Sequence, residues 1–230
     1  MPSQTRYNIY DVIHKALRAR LSRTLVAIGQ LDVDDEGCVR ELAGEVTTTL
    51  AIMRGHLHSE NDFVHVAMEA RAPGSTRRIA EEHLHHEQDI LVIEDACGAL
   101  LAAAPAERAA RASRLYVLFE VFLQDNFTHM RYEEDHHNAV LWAAYTDEEI
   151  LGIEHALVAA IAPEKKALIL HSMVPAVPTR ERAKLLGGLR AVMPPEVFAG
   201  LYASVVALLD AGARQRLEAA LAAEPEGVAA

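Results

Sequence analysis

The sequence predicts an all-α protein, an up-down four-helix bundle followed by an extension of short helices. Three observations carry this expectation. Ala, Leu, Glu and Arg dominate every long segment, and β-branched residues come singly. Helix breakers fall at only a few points along the chain. Between them, apolar residues recur at three- and four-residue spacing, the stripe of a helix that buries one face.

The first helix spans roughly 9–29 and ends before LDVDDEG at 31–37. The second covers 38–71 and stops at APGS, 72–75, where Ser75 is placed to cap the next helix. The third runs over 76–104. Pro105 suits the first turn of the fourth, 107–145, because its missing N–H has no helical partner there anyway. Thr146 and Glu149 then spell a capping box. Short connections favour antiparallel neighbours, hence the bundle. Beyond 146, Pro163, Pro175, Pro178, Pro194 and Pro195 cut the chain into candidate helices at 147–161, 164–174, 179–192, 195–209 and 211–222. Helices this short need packing partners to persist. The expected organisation is a bundle over 1–146 and a C-terminal helical extension over 147–230.

Length and charge narrow the function. At 230 residues the chain is one domain or one plus an appendage. The net charge of −11 argues against nucleic acid and against an anionic membrane surface, both of which require clustered Lys and Arg. No apolar run reaches the length of a membrane span, and MPSQTRYNIYDVIHK lacks the apolar stretch of a signal peptide. Cys38 and Cys97 form no CxxC pair, so a reducing, cytoplasmic setting is the expectation. Aromatics make up only 5% of the chain, yet it carries 12 His.

Those histidines fall on the apolar stripes. The first helix aligns Tyr10, His14, Leu17, Leu21 and Leu25. The second aligns Leu42, Val46, Thr49, Met53, His56, Glu60, Phe63 and Ala67. The third aligns Ile79, His83, His86, Ile90, Ile93, Cys97 and Leu100. The fourth aligns Leu115, Leu118, Phe122, Asp125, His129, Glu133 and His136. Residues four apart on a helix are surface neighbours, so a His and the Glu after it can serve one metal pair. Buried carboxylates without compensation would cost several kcal/mol or turn neutral. A dinuclear cation compensates them, and its binding then adds to folding stability. Imidazole with carboxylate suits iron, manganese or zinc. His58, His65 and His85 lie off the stripes and read as surface residues. Glu82 reads as part of a solvated face and Glu134 as a neighbour of the ligands. Tyr10 is placed either to donate a hydrogen bond to a bound oxygen species or simply to pack.

The pattern also repeats. His14 precedes His56-x-x-x-Glu60 by 42 residues, and His86 precedes His129-x-x-x-Glu133 by 43. Repeat spacing favours His86 over His83 as the third-helix ligand, and both can bind. His137, four residues after Glu133, and His136, seven after His129, are further candidates for the second metal.

His14, HLHSEN (56–61), EEHLHHE (81–87) and HMRYEE (129–134) resemble the hemerythrin and HHE cation-binding family over about residues 9–145. The resemblance implies a four-helix bundle holding two iron ions with an oxo or hydroxo bridge. It makes His14 and His56 ligands of one iron, His86 (or His83) and His129 ligands of the other, and Glu60 and Glu133 the bridges. His137 is the added candidate, and manganese or a mixed pair fits the same donors. The third helix offers His83 and His86 three apart where oxygen carriers have HxxxH, and the fourth has Glu at i+4 where they have Asp at i+5. Oxygen carriage is therefore not implied. The expected function is binding or processing of O2, peroxide or NO. The alternatives are a di-iron oxidase or oxygenase for a small organic substrate, and a metal or redox sensor whose C-terminal helices dock a partner. A homodimer is left open.

Overall fold

The computed structural model describes residues 6–223, and among these every regular element is helical. The helices are α1 (Asp11–Gly29), α2 (Glu36–Ser59), α3 (Val66–Arg71), α4 (Arg77–Leu101), α5 (Pro105–Tyr132), α6 (Asn138–Ala144), α7 (Asp147–Ala160), α8 (Pro163–Ala176), α9 (Thr179–Val192), α10 (Pro195–Val206) and α11 (Ala211–Ala223). Two π-helical turns, Glu60–His65 and Glu133–His137, join α2 to α3 and α5 to α6. No described helix is long and apolar enough to cross a membrane.

Local chemistry explains the boundaries. The Asp35 carboxylate accepts from the Gly37 and Cys38 amides and starts α2. Pro105 opens α5, and Thr146 with Glu149 closes the expected capping box on α7. Ser75 does not cap α4. The turn before α4 is tied down instead by Glu69, which accepts from the Gly74 amide, the Thr76 amide and the Thr76 hydroxyl. Gly74 sits at φ +82°, a conformation that penalises a Cβ.

The chain divides into two compact units. Among the described residues, the first holds 6–11 and Arg20–Ile161; the second holds Val12–Ala19 and 162–223. In the first unit α2 packs on α4 and α4 on α5. The later part of α1 reaches α2 through Thr24 and Arg20, both hydrogen-bonded to Thr49 Oγ1 at 2.9 and 3.0 Å. Ile9, Tyr10, Val64, Met68, Leu141 and Ile150 form one apolar cluster, against which Trp142, Ile153 and Leu157 pack. This cluster gathers α3, α6, α7 and the stretch before α1 around the two π-turns. Ion pairs Arg6–Asp147 (2.6 Å) and Arg71–Glu149 (2.6 Å) pin α7 there. The first C-terminal helix is thus part of the first unit, because Ile150 buries its face in that cluster.

The second unit has its own apolar core of Leu170, Val174, Ala183, Leu186, Val205, Leu209, Ala213, Leu217 and Leu221. Here α9 packs on α11, and α10 on both α8 and α9. Asp210 caps α11 through the Ala213 amide at 2.7 Å.

Candidate metal centre

Both His-x-x-x-Glu motifs end at the first residue of a π-turn, Glu60 in one case and Glu133 in the other. A π-turn bonds residue i to i+5 and so inserts one residue into the helical register. The inward stripe after each Glu is displaced accordingly. Val64 and Met68 are buried where unbroken α periodicity had pointed to Phe63 and Ala67. His137 is buried and His136 is exposed, stacked on the Tyr132 ring. The same displacement turns His65 inward, to 6% exposure, although it lies five residues past Glu60. On an α-helix of about 3.6 residues per turn, five residues end far round the cylinder; on a π-turn they return to the same side.

The buried side chains converge. Glu60, His83, His129 and Glu133 each offer a ligand atom, all within 4.8 Å of one another, and so do His65, Glu133 and His137. His56, Glu60 and Glu133 meet the same limit. Glu133 is common to every set and Glu60 to two of them. Individual distances are short: His56 Nε2 to Glu60 Oε1 3.2 Å, His83 Nε2 to Glu60 Oε2 3.4 Å, and His129 Nε2 to Glu133 Oε1 3.4 Å. These buried His and Glu groups could hold a metal.

Three imidazoles are oriented from behind. His129 Nδ1 meets Glu82 Oε2 at 2.9 Å, His83 Nδ1 meets Asn61 Oδ1 at 2.8 Å, and His137 Nδ1 pairs with the Tyr10 hydroxyl at 3.2 Å. Glu82 and Asn61 present acceptor oxygens, so Nδ1 of His129 and His83 donates and Nε2 carries the lone pair. Those two Nε2 atoms stand 3.2 Å apart and face the carboxylates. Lone pairs and carboxylate oxygens turned toward one another repel unless a cation lies among them. A carboxylate behind a metal-binding His also raises its basicity and fixes its ring.

Electrostatics agree with this geometry. Burial, above all, holds the imidazoles of His65 and His137 down to about 4 and that of His129 to about 2. They are therefore neutral, as ligands must be. Burial pushes the Glu133 carboxyl well above the ordinary range, and the charge and hydrogen bond of Glu60 push it further. Without a cation Glu133 therefore keeps its proton. Burial, then Glu133 and Glu60, hold the Tyr10 phenol in its protonated form. The Nε2 atoms of His65 and His137 are buried without a hydrogen-bond partner, a costly state that a bound cation would relieve.

The sequence candidates fall into three groups. His56, Glu60, His83, His129, Glu133 and His137 are brought together. His86 is buried beside them but lies edge-on to Phe122 and to the His129 ring, outside the converging sets. His14 is buried on α1, in the stretch that clusters with the second unit. His58 and His85 are exposed, as expected, and Asp125 is exposed in place of the buried Asn126. Three contributors, His65, Glu82 and Asn61, are not singled out by the sequence pattern. His65 could have been found from the fuller recurrence, His-x3-Glu-x4-His at 56–65 against His-x3-Glu-x3-His at 129–137. Glu82 carries no signal of its own, since its part depends on α4 lying against α5.

Comparisons with family models, with curated proteins and with solved structures return no match for this chain.

Proposed function

We propose that the first unit is a hemerythrin-like four-helix scaffold holding a dinuclear iron centre that binds or processes O2, peroxide or NO. One observation carries this reading. Two buried carboxylates, Glu60 and Glu133, are shared among overlapping sets of histidine nitrogens, the donor arrangement of a carboxylate-bridged metal pair. His83 and His129 would supply nitrogens whose orientation Asn61 and Glu82 fix, and His56, His65 and His137 would complete the shells. For His14 the support is the sequence repeat. Nitrogen and carboxylate donors without thiolate suit iron, with manganese as the other good fit.

A pair of redox-active ions held here would supply electrons and open positions for a small diatomic ligand or peroxide. The rest is the work of the chain. Met53, Ile90 and Phe122, spaced three to seven residues from His56, His86 and His129 on the same helices, are fully buried, and such apolar faces disfavour bulk water. Tyr10 keeps its phenolic proton and is positioned to donate it as a hydrogen bond near His137. Glu133 would give up its proton on binding a cation.

The test is anaerobic reconstitution with Fe(II), metal analysis, and exposure to O2, NO or hydrogen peroxide. Uptake of about two ions per chain, with a visible absorption change on adding one of these ligands, is the expected result. Full uptake with no spectral response to any of them would contradict the ligand-binding role. Replacing His14 by Ala tests its place in the set; unchanged iron content would remove it.

A further inference from the structure

A groove of about 480 Å³ lies between α4 and α5, on the outer side of the His129 ring. Arg78, Glu81, Glu82, His86, Asp125 and His129 line it. Every residue that lines it carries a polar or charged group. Its charge is negative. Arg78 is engaged by Glu82 at 2.8 Å and lies over the Tyr132 ring at 3.9 Å, which leaves the exposed Glu81 and Asp125 carboxylates in excess. Anions are therefore disfavoured and cations concentrated.

A second feature points to a particular kind of cation. His86 lines the groove, is only 4% exposed, and its Nδ1 has no hydrogen-bond partner. An imidazole beside carboxylates selects a transition-metal cation over an organic ammonium ion or calcium. His129 forms the wall. Its Nδ1 meets Glu82, which lines the groove, and its Nε2 meets Glu133 within the buried centre. The His86 ring stands edge-on to it, with centroids 4.8 Å apart. One imidazole thus separates the groove from the buried carboxylates.

We propose that the α4–α5 groove is a loading site for divalent transition-metal cations, with His86 and Asp125 as its first ligands and the His129 ring as the inner gate. This rests on the dinuclear reading and adds the route by which its ions arrive. Two protein ligands with open water positions hold a cation weakly, as a site that passes its ion onward requires. Inward passage turns the His129 ring away from Glu82 and returns it once the ion has passed.

The experiment follows Co(II) entering the metal-free full-length chain by stopped-flow absorption, with final stoichiometry from metal analysis. Asp125→Asn is exposed and should fold normally. The expected result is loading about three- to tenfold slower, with unchanged final stoichiometry and partial rescue by Asp125→Glu. His86→Asn should slow loading further. Added salt should slow the wild type more than Asp125→Asn, because screening removes the same attraction. Full uptake at the wild-type rate in both Asp125→Asn and the Glu81→Gln/Asp125→Asn double variant would overturn the loading role alone. A reduced final stoichiometry in Asp125→Asn would also overturn it, by making Asp125 a permanent ligand. Failure of the wild type to take up any Co(II) or Fe(II) would overturn the dinuclear reading and the loading role with it.

Discussion

His56-x3-Glu60-x4-His65 and His129-x3-Glu133-x3-His137 begin alike and end one residue apart, and both pass through a π-turn that brings the last His inside. Their surroundings differ. On the second arm, Glu82 orients His129 and Tyr10 meets His137, whereas His56 stands against Glu60 itself at 3.2 Å. Glu133 belongs to every converging set and is fully buried; Glu60 belongs to two and is 2% exposed. The difference teaches that the repeat supplies candidate ligands in pairs, while the neighbouring elements make one arm the hub. Loss of a ligand on the Glu133 arm should therefore cost more than loss of its counterpart.

The largest effect should come from removing both carboxylates. Glu60→Ala/Glu133→Ala should abolish bound iron and lower the melting temperature of the metal-loaded protein by on the order of 10 °C, since metal binding contributes to folding. Among single variants, Glu133→Gln should lose more iron than Glu60→Gln. Equal losses by metal analysis would erase the asymmetry between the arms.

Acid should come next, acting on the metal-free protein. His65, His129 and His137 have folded values below the ordinary one near 6.5. Their stabilising contribution is present above about 6.5 and is lost as pH falls toward 4. Glu133, shifted up, acts in the opposite sense: its contribution is lost as pH rises above the ordinary carboxylate range. Three histidines outweigh one carboxyl. Metal-free stability, measured by urea titration, should fall by several kcal/mol, in order of magnitude, between pH 6.5 and 4. Flat stability over that window would place these imidazoles in water.

Glu82→Gln keeps the shape behind His129 but removes the charge. Metal affinity measured by competition with a chelator should drop about 10- to 100-fold, with little loss of metal-free stability. An unchanged affinity would show that His129 needs no partner behind it. The smallest effect belongs to His136→Ala, on the exposed side of the second π-turn, which should change stability by no more than about 0.5 kcal/mol and leave the iron spectrum unaltered. A changed spectrum would mean that the turn unwinds in solution and that His136 competes with His137.

Much of this was legible because helical periodicity is a strong signal. The all-helical class, the cap at Thr146, the Pro105 start and the inward positions of His56, Glu60, His83, His129 and Glu133 follow from spacing and breakers alone. The limits were equally physical. A stripe at 3.6-residue period cannot foresee an inserted residue, so it points Phe63 inward in place of Val64 and leaves His65 at the surface. Ser75 looked like a cap until Glu69, six residues earlier, took the amides of that turn. Glu82 and Asn61 matter only because of what packs opposite them, and no local pattern records that.

The most direct measurement is an anomalous-scattering map at the iron edge from crystals of the reconstituted protein. Two peaks among Glu60, Glu133 and the His83 and His129 Nε2 atoms, with Glu133 reaching both, is the result expected here. A map with no peak in that interior, from crystals of protein reconstituted with Fe(II), would contradict the account.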